Sequence, residues 1–317
     1  MKSARHAGPA DKTGVHAAAL RYFQEVARQG SIRRAAGAMN VASSAINRQI
    51  LKMEDGLGIK LFDRLADGVR LTQAGEILLR HVRDTLNGYE QAVAGIDGLR
   101  GVWSGHIRIA TLDSLLLQIL PDVLGAFAET HPEVTFSVSA KPAGEVLRKL
   151  GEGEADLGLT FVAPTGSSIS EVASIAAPVG AVMTRDHRLA GRPDVALDDL
   201  LAETLLVQQG SLNPALGASS EFASFRARAR QRVVSDDIGF VKRMVRRGLG
   251  VALYTGLGFA EEVASGELAW VPVRSAELAG LRVGLFAPTL RTPTPACHAL
   301  AGAVAQRLRA WERGAAA

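Results

Sequence analysis

Between residues 17 and 57 the chain repeats a short helical pattern three times, with a stop after each repeat. Leu20, Phe23, Val26 and Ala27 recur at helical spacing. Gly30 ends that run, and Ser31 is suited to cap the next, "SIRRAAGAM". Gly37 inside it costs about 1 kcal/mol relative to Ala, so a close-packed neighbour is expected there. Met39-Asn40-Val41 reads as a tight corner in which Asn40 adopts a left-handed conformation. A third helix occupies about 42–56, with Ile46, Ile50, Met53 and Leu57 expected inward. Two helices joined by so short a turn form a helix-turn-helix, whose second helix can enter a DNA major groove. Ala66-Asp67-Gly68 is a hairpin signal between "LFDRL" and "VRLT", the place of a wing, and Thr72 is placed to cap a further helix.

Charge is distributed to match. Residues 1–72 hold 12 Lys and Arg against 6 Asp and Glu, whereas 101–317 hold 21 against 22. A basic module on a near-neutral body is the layout of a polyanion binder with a second function attached, or of a merely solvated basic surface. The single cysteine, Cys297, excludes an internal disulfide and a cysteine metal cluster. No apolar run approaches a membrane span, and "MKSARHAGPADKTG" lacks the apolar stretch of a signal peptide. A loose tail over 1–15 and a cytoplasmic location are therefore expected.

Residues 73–100 form one long helix in which Leu79, Val82, Leu86, Tyr89, Val93 and Ile96 alternate spacings of three and four. That is a coiled-coil seam, so helix–helix dimerisation is expected; packing on its own domain is the alternative. Gly101 and Gly105 mark the end of this helix. From 105 the texture changes to short apolar strands alternating with helices, β-α-β-α-β, which implies a parallel sheet. "VAPTGSS" reads as a connector to a second such set, and near Trp270-Val271-Pro272 the chain returns to the first. The expected architecture is α/β: a winged helix-turn-helix at 16–72, a linker helix at 73–100, a first lobe from 105–165 plus 272–313, and a second lobe at 166–271.

These residues resemble the LysR-type transcriptional regulators. The likeness is carried by Leu20-Arg21-Tyr22-Phe23, Gly30-Ser31, Ala35-Ala36, Arg48-Gln49-Ile50, Glu54, Leu57-Gly58, Leu61-Phe62, Arg64, Leu71-Thr72 and Ala74-Gly75-Glu76. Downstream, "GHIRIAT", "LPDVLGAFAETHPEV", "GEADLGLTF" and "VRRGLGVALY" extend it over about 16–310. The resemblance implies a winged helix-turn-helix, a dimerising linker helix and a two-lobed, periplasmic-binding-protein-like effector domain. It also implies double-stranded promoter DNA as partner, a homodimer or homotetramer, a small-molecule effector between the lobes, and an influence on RNA polymerase access. Ala42, Ser43-Ser44 and Asn47 depart from the family's usual serine, glutamine-proline and serine. Ser43 is then the available cap.

On the third helix, Ser43, Ser44, Asn47 and Arg48 are expected to face the groove. Asn pairs bidentately with adenine and Arg with guanine, though Arg equally grips phosphate. Arg33, Arg34, Lys52, Arg64 and Arg70 are phosphate-contact candidates; Arg33 and Lys52 are as readily solvated charges. Parallel α/β folds bind ligands beyond the C-terminal strand ends. Thr111-Leu112-Asp113-Ser114 is the first such turn, and its hydroxyls and free amides suit a carboxylate or phosphate, or only cap the helix. Asp113 opposes a highly anionic ligand. Lys141, Thr160, Phe161 and Gln208 are further candidates, and the effector is expected to be acidic. "FRARARQR" at 225–232 is an anion site, a subunit contact or a solvated surface. No histidine pair has metal-ligand spacing, and there is no G-x-S-x-G elbow or P-loop, so neither an enzyme, a metal nor a cofactor is expected. The competing reading is a cytoplasmic small-molecule-binding protein without promoter activity.

Overall fold

The computed structural model describes residues 17–99, 103–163, 166–208 and 221–315. The expected tail over 1–15 and the helix-ending Gly101 lie outside the described residues. The chain divides into two compact units, one through Ala92 and one from Val93.

The first unit contains α1 (Ala17–Gln29), α2 (Ile32–Met39), α3 (Ser43–Leu57), β1 (Phe62–Leu65), β2 (Gly68–Leu71) and most of α4 (Gln73–Leu99). Ser31 caps α2 by accepting the Arg34 amide, and Asn40 ends it at φ 54, the left-handed corner expected of it. β1 and β2 pair antiparallel as the wing, and the Val69 amide donates to the Gly30 carbonyl at 2.9 Å, stitching the wing to the α1–α2 corner. Thr72 caps α4 by accepting the Gly75 amide at 3.1 Å. Gly75 must be glycine, because a Cβ there would lie 2.2 Å from the Leu61 carbonyl oxygen. Gly37 differs from expectation: it is exposed and a Cβ would meet nothing within 4 Å. Phe23, Val26, Ile46, Ile50, Leu61 and Phe62 form the core, with the Phe23 and Phe62 rings 5.2 Å apart. Leu57 is not part of it. It lies on the inward stripe of α3 but beyond the end of the core, and is 56% exposed.

Leu79, Val82 and Leu86 belong to this same core. Their spacing serves the packing of α4 on its own domain, so these three are not a free seam. Val93 is half-buried, while Tyr89 and Ile96 are exposed, as is Ile77 one helical stripe away.

The second unit begins with β3 (Gly105–Thr111), α5 (Ile119–Thr130), β4 (Val134–Ala140), α6 (Ala143–Gly151), β5 (Leu157–Phe161) and β6 (Ile169–Ala176). It continues with β7 (Val179–Thr184), α7 (Leu197–Leu201), β8 (Thr204–Gln208), α8 (Glu221–Arg228), β9 (Arg230–Ser235), α9 (Ile238–Arg246), β10 (Val251–Thr255), α10 (Ala260–Ala264) and β11 (Leu268–Pro272). α11 (Ala276–Ala279), β12 (Arg282–Pro288) and α12 (Pro295–Ala315) complete it. Two five-stranded sheets result, ordered β4-β3-β5-β12-β6 and β11-β7-β10-β8-β9. β3 runs parallel to β4 and β5, and β8 parallel to β9 and β10. β5 is buried at every position, as suits a strand with a parallel neighbour and covered faces.

One boundary moves. β6 pairs with β12 and so belongs to the first sheet, which places the lobe division between Ala176 and Val179 rather than at 165/166. The chain therefore crosses between sheets at Ala177-Pro178 and returns between Pro272 and Arg282. The two crossings lie side by side. The Ala177 amide donates to the Leu281 carbonyl at 2.8 Å, and the Val273 amide to the Val179 carbonyl at 3.2 Å. Cys297 is buried, and burial pushes its thiol up to about 12. Among the described residues no helix is long and apolar enough to cross a membrane, and no group of side chains is placed to hold a metal ion.

Candidate nucleic-acid interface and inter-lobe cleft

α3 turns Ile46 and Ile50 inward and presents the opposite stripe, Ser44, Arg48 and Lys52 at intervals of four, to solvent. Among the described residues none of these three side chains has a hydrogen-bond or ionic partner. Ser43 and Asn47 flank the stripe, Ser43 exposed and Asn47 half-buried. Ala42 is the N-cap and offers no side-chain hydrogen bond; Ser43 is already inside the helix and does not take over the cap. The positive end of the helix is thus left open for an anion.

The surrounding cations fall into two groups. Arg33 is exposed and without a partner among the described residues. Arg34 instead donates from Nε and Nη2 to the Gln29 carbonyl at 3.1 and 2.6 Å, closing the end of α1. Arg64 Nη2 donates to Asn47 Oδ1 at 3.4 Å, and Arg70 approaches Asp63 to 3.7 Å across the wing.

Glu54 is the residue that locks wing to helix. It is buried on α3, and its Oε1 accepts the Leu61 amide at 2.9 Å and the Phe62 amide at 3.3 Å, while Oε2 takes Lys60 Nζ at 2.7 Å. Burial opposes ionisation, but the Lys60 ammonium and the two amides outweigh it and hold the carboxyl below the usual carboxylate range. Spacing puts Glu54 on the inward Ile46–Ile50 stripe, but nothing in the sequence names the Leu61 and Phe62 amides it accepts.

In the second unit the C-terminal ends of β3 and β5 face that of β10. Leu112, Asp113, Ser114 and Phe161 from one lobe and Leu253, Tyr254 and Thr255 from the other line a small cavity between them. Gln208, at the end of β8, bridges the lobes. Its amide nitrogen donates to Asp113 Oδ2 and lies 3.4 Å from the Asp236 carbonyl, and its oxygen accepts the Tyr254 hydroxyl at 2.6 Å. Burial pushes the Asp113 carboxyl up, opposed by the Gln208 amide and backbone amides and reinforced by Asp237. Burial also drives the Tyr254 hydroxyl well above its ordinary range, with Asp113 and Asp237 adding to it. Tyr254 is held from behind by Trp270, whose Nε1 donates to its carbonyl at 3.0 Å. The Trp270 ring occupies the space over Gly180, where a Cβ would come within 2.2 Å of it.

Several sequence expectations separate here. Leu112, Asp113, Ser114 and Phe161 line the cavity and Gln208 reaches Asp113. Thr111 does not line it: it is fully buried and its hydroxyl donates to the Leu112 carbonyl. Thr160 points to the other face of β5, where its hydroxyl donates to the Ala143 carbonyl at 3.5 Å. Lys141 is not in the lining either and pairs with Glu145 at 3.8 Å. Leu253, Tyr254 and Thr255 went unnoticed in the sequence, although the rule that flagged the end of β3 applies equally to "VALYT".

Comparison with known proteins decides the family. Residues 17–76 match the bacterial regulatory helix-turn-helix protein model of the lysR family, and residues 100–309 match the LysR substrate binding domain. The chain belongs to the LysR family. This LysR-family chain is a DNA-binding transcriptional regulator with a ligand-binding domain. It is 29% identical over 245 residues to the transcriptional dual regulator GltC of Bacillus subtilis, covering 76% of this chain and 81% of that one. It is 28% identical over 255 residues to a RuBisCO operon transcriptional regulator of Acidithiobacillus ferrooxidans, covering 80% and 82%. In fold it is similar to full-length OxyR from Pseudomonas aeruginosa, with TM-score 0.64 and 20% identity over 94% of this chain and 95% of that one. It is likewise similar to CbnR in complex with its target DNA, with TM-score 0.58 and 20% identity over 93% and 99%.

Proposed function

We propose that this regulator reads promoter DNA with the Ser44–Arg48–Lys52 stripe of α3, flanked by Ser43 and Asn47. The carrying observation is that this stripe is exposed and unpartnered opposite a side held by Ile46 and Ile50. Arg33 and the open N-terminus of α3 suit phosphate contacts, and Arg64, Arg34 and Arg70 add charge beside them. The protein acts in the cytoplasm as a homodimer or homotetramer, with the exposed Ile96 of α4, rather than the buried Leu79, Val82 and Leu86, available to a second copy. An effector entering the cavity between the lobes changes the lobe angle, and through subunit packing alters DNA bend and access of RNA polymerase.

A gel shift with the DNA upstream of its own gene tests the first step. Arg48→Ala is expected to weaken binding by about 1–3 kcal/mol, or roughly fivefold to 150-fold, without changing the oligomeric state measured by light scattering. Wild-type footprints from the Arg48→Ala protein would refute the assignment of α3.

A further inference from the structure

Taking the cavity between the lobes as the effector site, as proposed above, we propose that the effector is a small organic cation, an ammonium or guanidinium compound, rather than a carboxylic acid. The Asp113 carboxylate sits at the cavity wall, and among the described residues no Lys or Arg pairs with it. Its partners are neutral donors: the Gln208 amide and backbone amides of its own turn. The other charged group acting on it is Asp237, which caps α9 by accepting the Phe240 amide at 2.7 Å and repels Asp113. Lys141, the one cation the sequence offered to this cleft, is turned to Glu145. Burial raises the Asp113 carboxyl, as it does for any acid left without a counter-charge.

A second observation points to a missing ligand. Ser114 and Thr255 line the cavity at 6% and 4% exposure, and among the described residues neither hydroxyl has a hydrogen-bond partner. Neither oxygen is among the fully buried side-chain atoms that lack a partner, so both hydroxyls open onto the cavity and can take a ligand there. Two unfilled hydroxyls beside a carboxylate with no cationic partner among the described residues match a cationic head that donates to all three oxygens. A carboxylate ligand would instead bring a third negative charge beside Asp113 and Asp237, in a site with little water to screen it.

Calorimetry on the full-length protein at pH 7.5 tests this with butylamine, 2-phenylethylamine and agmatine, set against butyrate, 3-phenylpropionate and glutarate. At least one amine is expected to bind, about tenfold or more weaker in Asp113→Asn, and weaker also in the isosteric Thr255→Val, while the acids do not saturate. Far-UV circular dichroism verifies that both variants fold. Acids that bind wild type, and bind Asp113→Asn as well or better, would overturn the cationic class while leaving the cavity as the effector site. Amines that bind with affinity untouched by both substitutions would overturn the site as well. Failure of all six compounds to bind would overturn the proposed class, and the promoter gel shift would stand apart from that result.

Discussion

Replacing Glu54 by alanine should be among the most damaging single changes to the DNA-binding unit, although the residue faces no groove. The substitution strips the acceptor from the Leu61 and Phe62 amides, which belong to residues 1% and 7% exposed. A buried amide left without a partner costs about 1–3 kcal/mol, so the pair costs about 2–6 kcal/mol. Lys60 is 69% exposed, and its loss adds only a few tenths of a kcal/mol. Against a domain stability of about 5–15 kcal/mol, the alanine variant loses a large share of its margin. Glu54→Gln retains one carbonyl oxygen, and the same oxygen, Oε1, serves both amides in the wild type. Its cost should therefore be only about 1 kcal/mol. The three tryptophans, Trp103, Trp270 and Trp311, all lie in the second unit. Tryptophan fluorescence is thus blind to the change, and urea unfolding must be followed by far-UV circular dichroism alongside amide exchange at Leu61 and Phe62. The alanine variant should lose protection at those two amides and show an earlier circular-dichroism transition, with the fluorescence transition unmoved. The glutamine variant should behave nearly as wild type. Equal, sub-kcal effects from both substitutions would refute the reasoning. Because the Glu54 carboxyl is held low, its contribution is present above the ordinary carboxylate range and fades as pH falls through the folded value, so alanine and wild type should converge in acid.

Other substitutions have opposite or sharper signatures. Asp113 is raised, so its carboxyl favours the folded state below its unfolded pKa of about 4, and that contribution is lost as pH rises through the folded value. Asp113→Asn should therefore melt higher than wild type at pH 7.5, with the gap closing toward pH 4 in a thermal scan. Gly75→Ala drives a methyl into the Leu61 carbonyl and should cost about 1–3 kcal/mol, read as an earlier circular-dichroism transition; Gly37→Ala, in open space, should be neutral or stabilising by up to about 1 kcal/mol. Gly180→Ala displaces the Trp270 ring and should shift its emission while releasing Tyr254 from behind.

Much of this molecule was legible because its signals are local. Ser31, Asn40, Thr72 and the Ala66-Asp67 turn each act on the backbone within a few residues of themselves, and each stands where its chemistry requires. Leu79, Val82 and Leu86 misled because a heptad seam and a helix packed on its own domain share one spacing; only the position of the Phe23–Ile46 core tells them apart. β6 was misassigned because its partner, β12, arrives more than a hundred residues later. Thr160 and Phe161 were adjacent candidates, yet strand alternation sends one to α6 and the other to the cleft. The role of Glu54 and the lack of a counter-charge at Asp113 are properties of the assembled neighbourhood, which no window of sequence contains.

The paired crossings at Ala177-Pro178 and between Val273 and Leu281 have a mechanical consequence. One crossing is two residues long, the other carries α11, and two backbone hydrogen bonds tie them together, so a change of angle between the two sheets must be made at these few residues. On the proposed function, effectors of different shape would therefore act through that one angle.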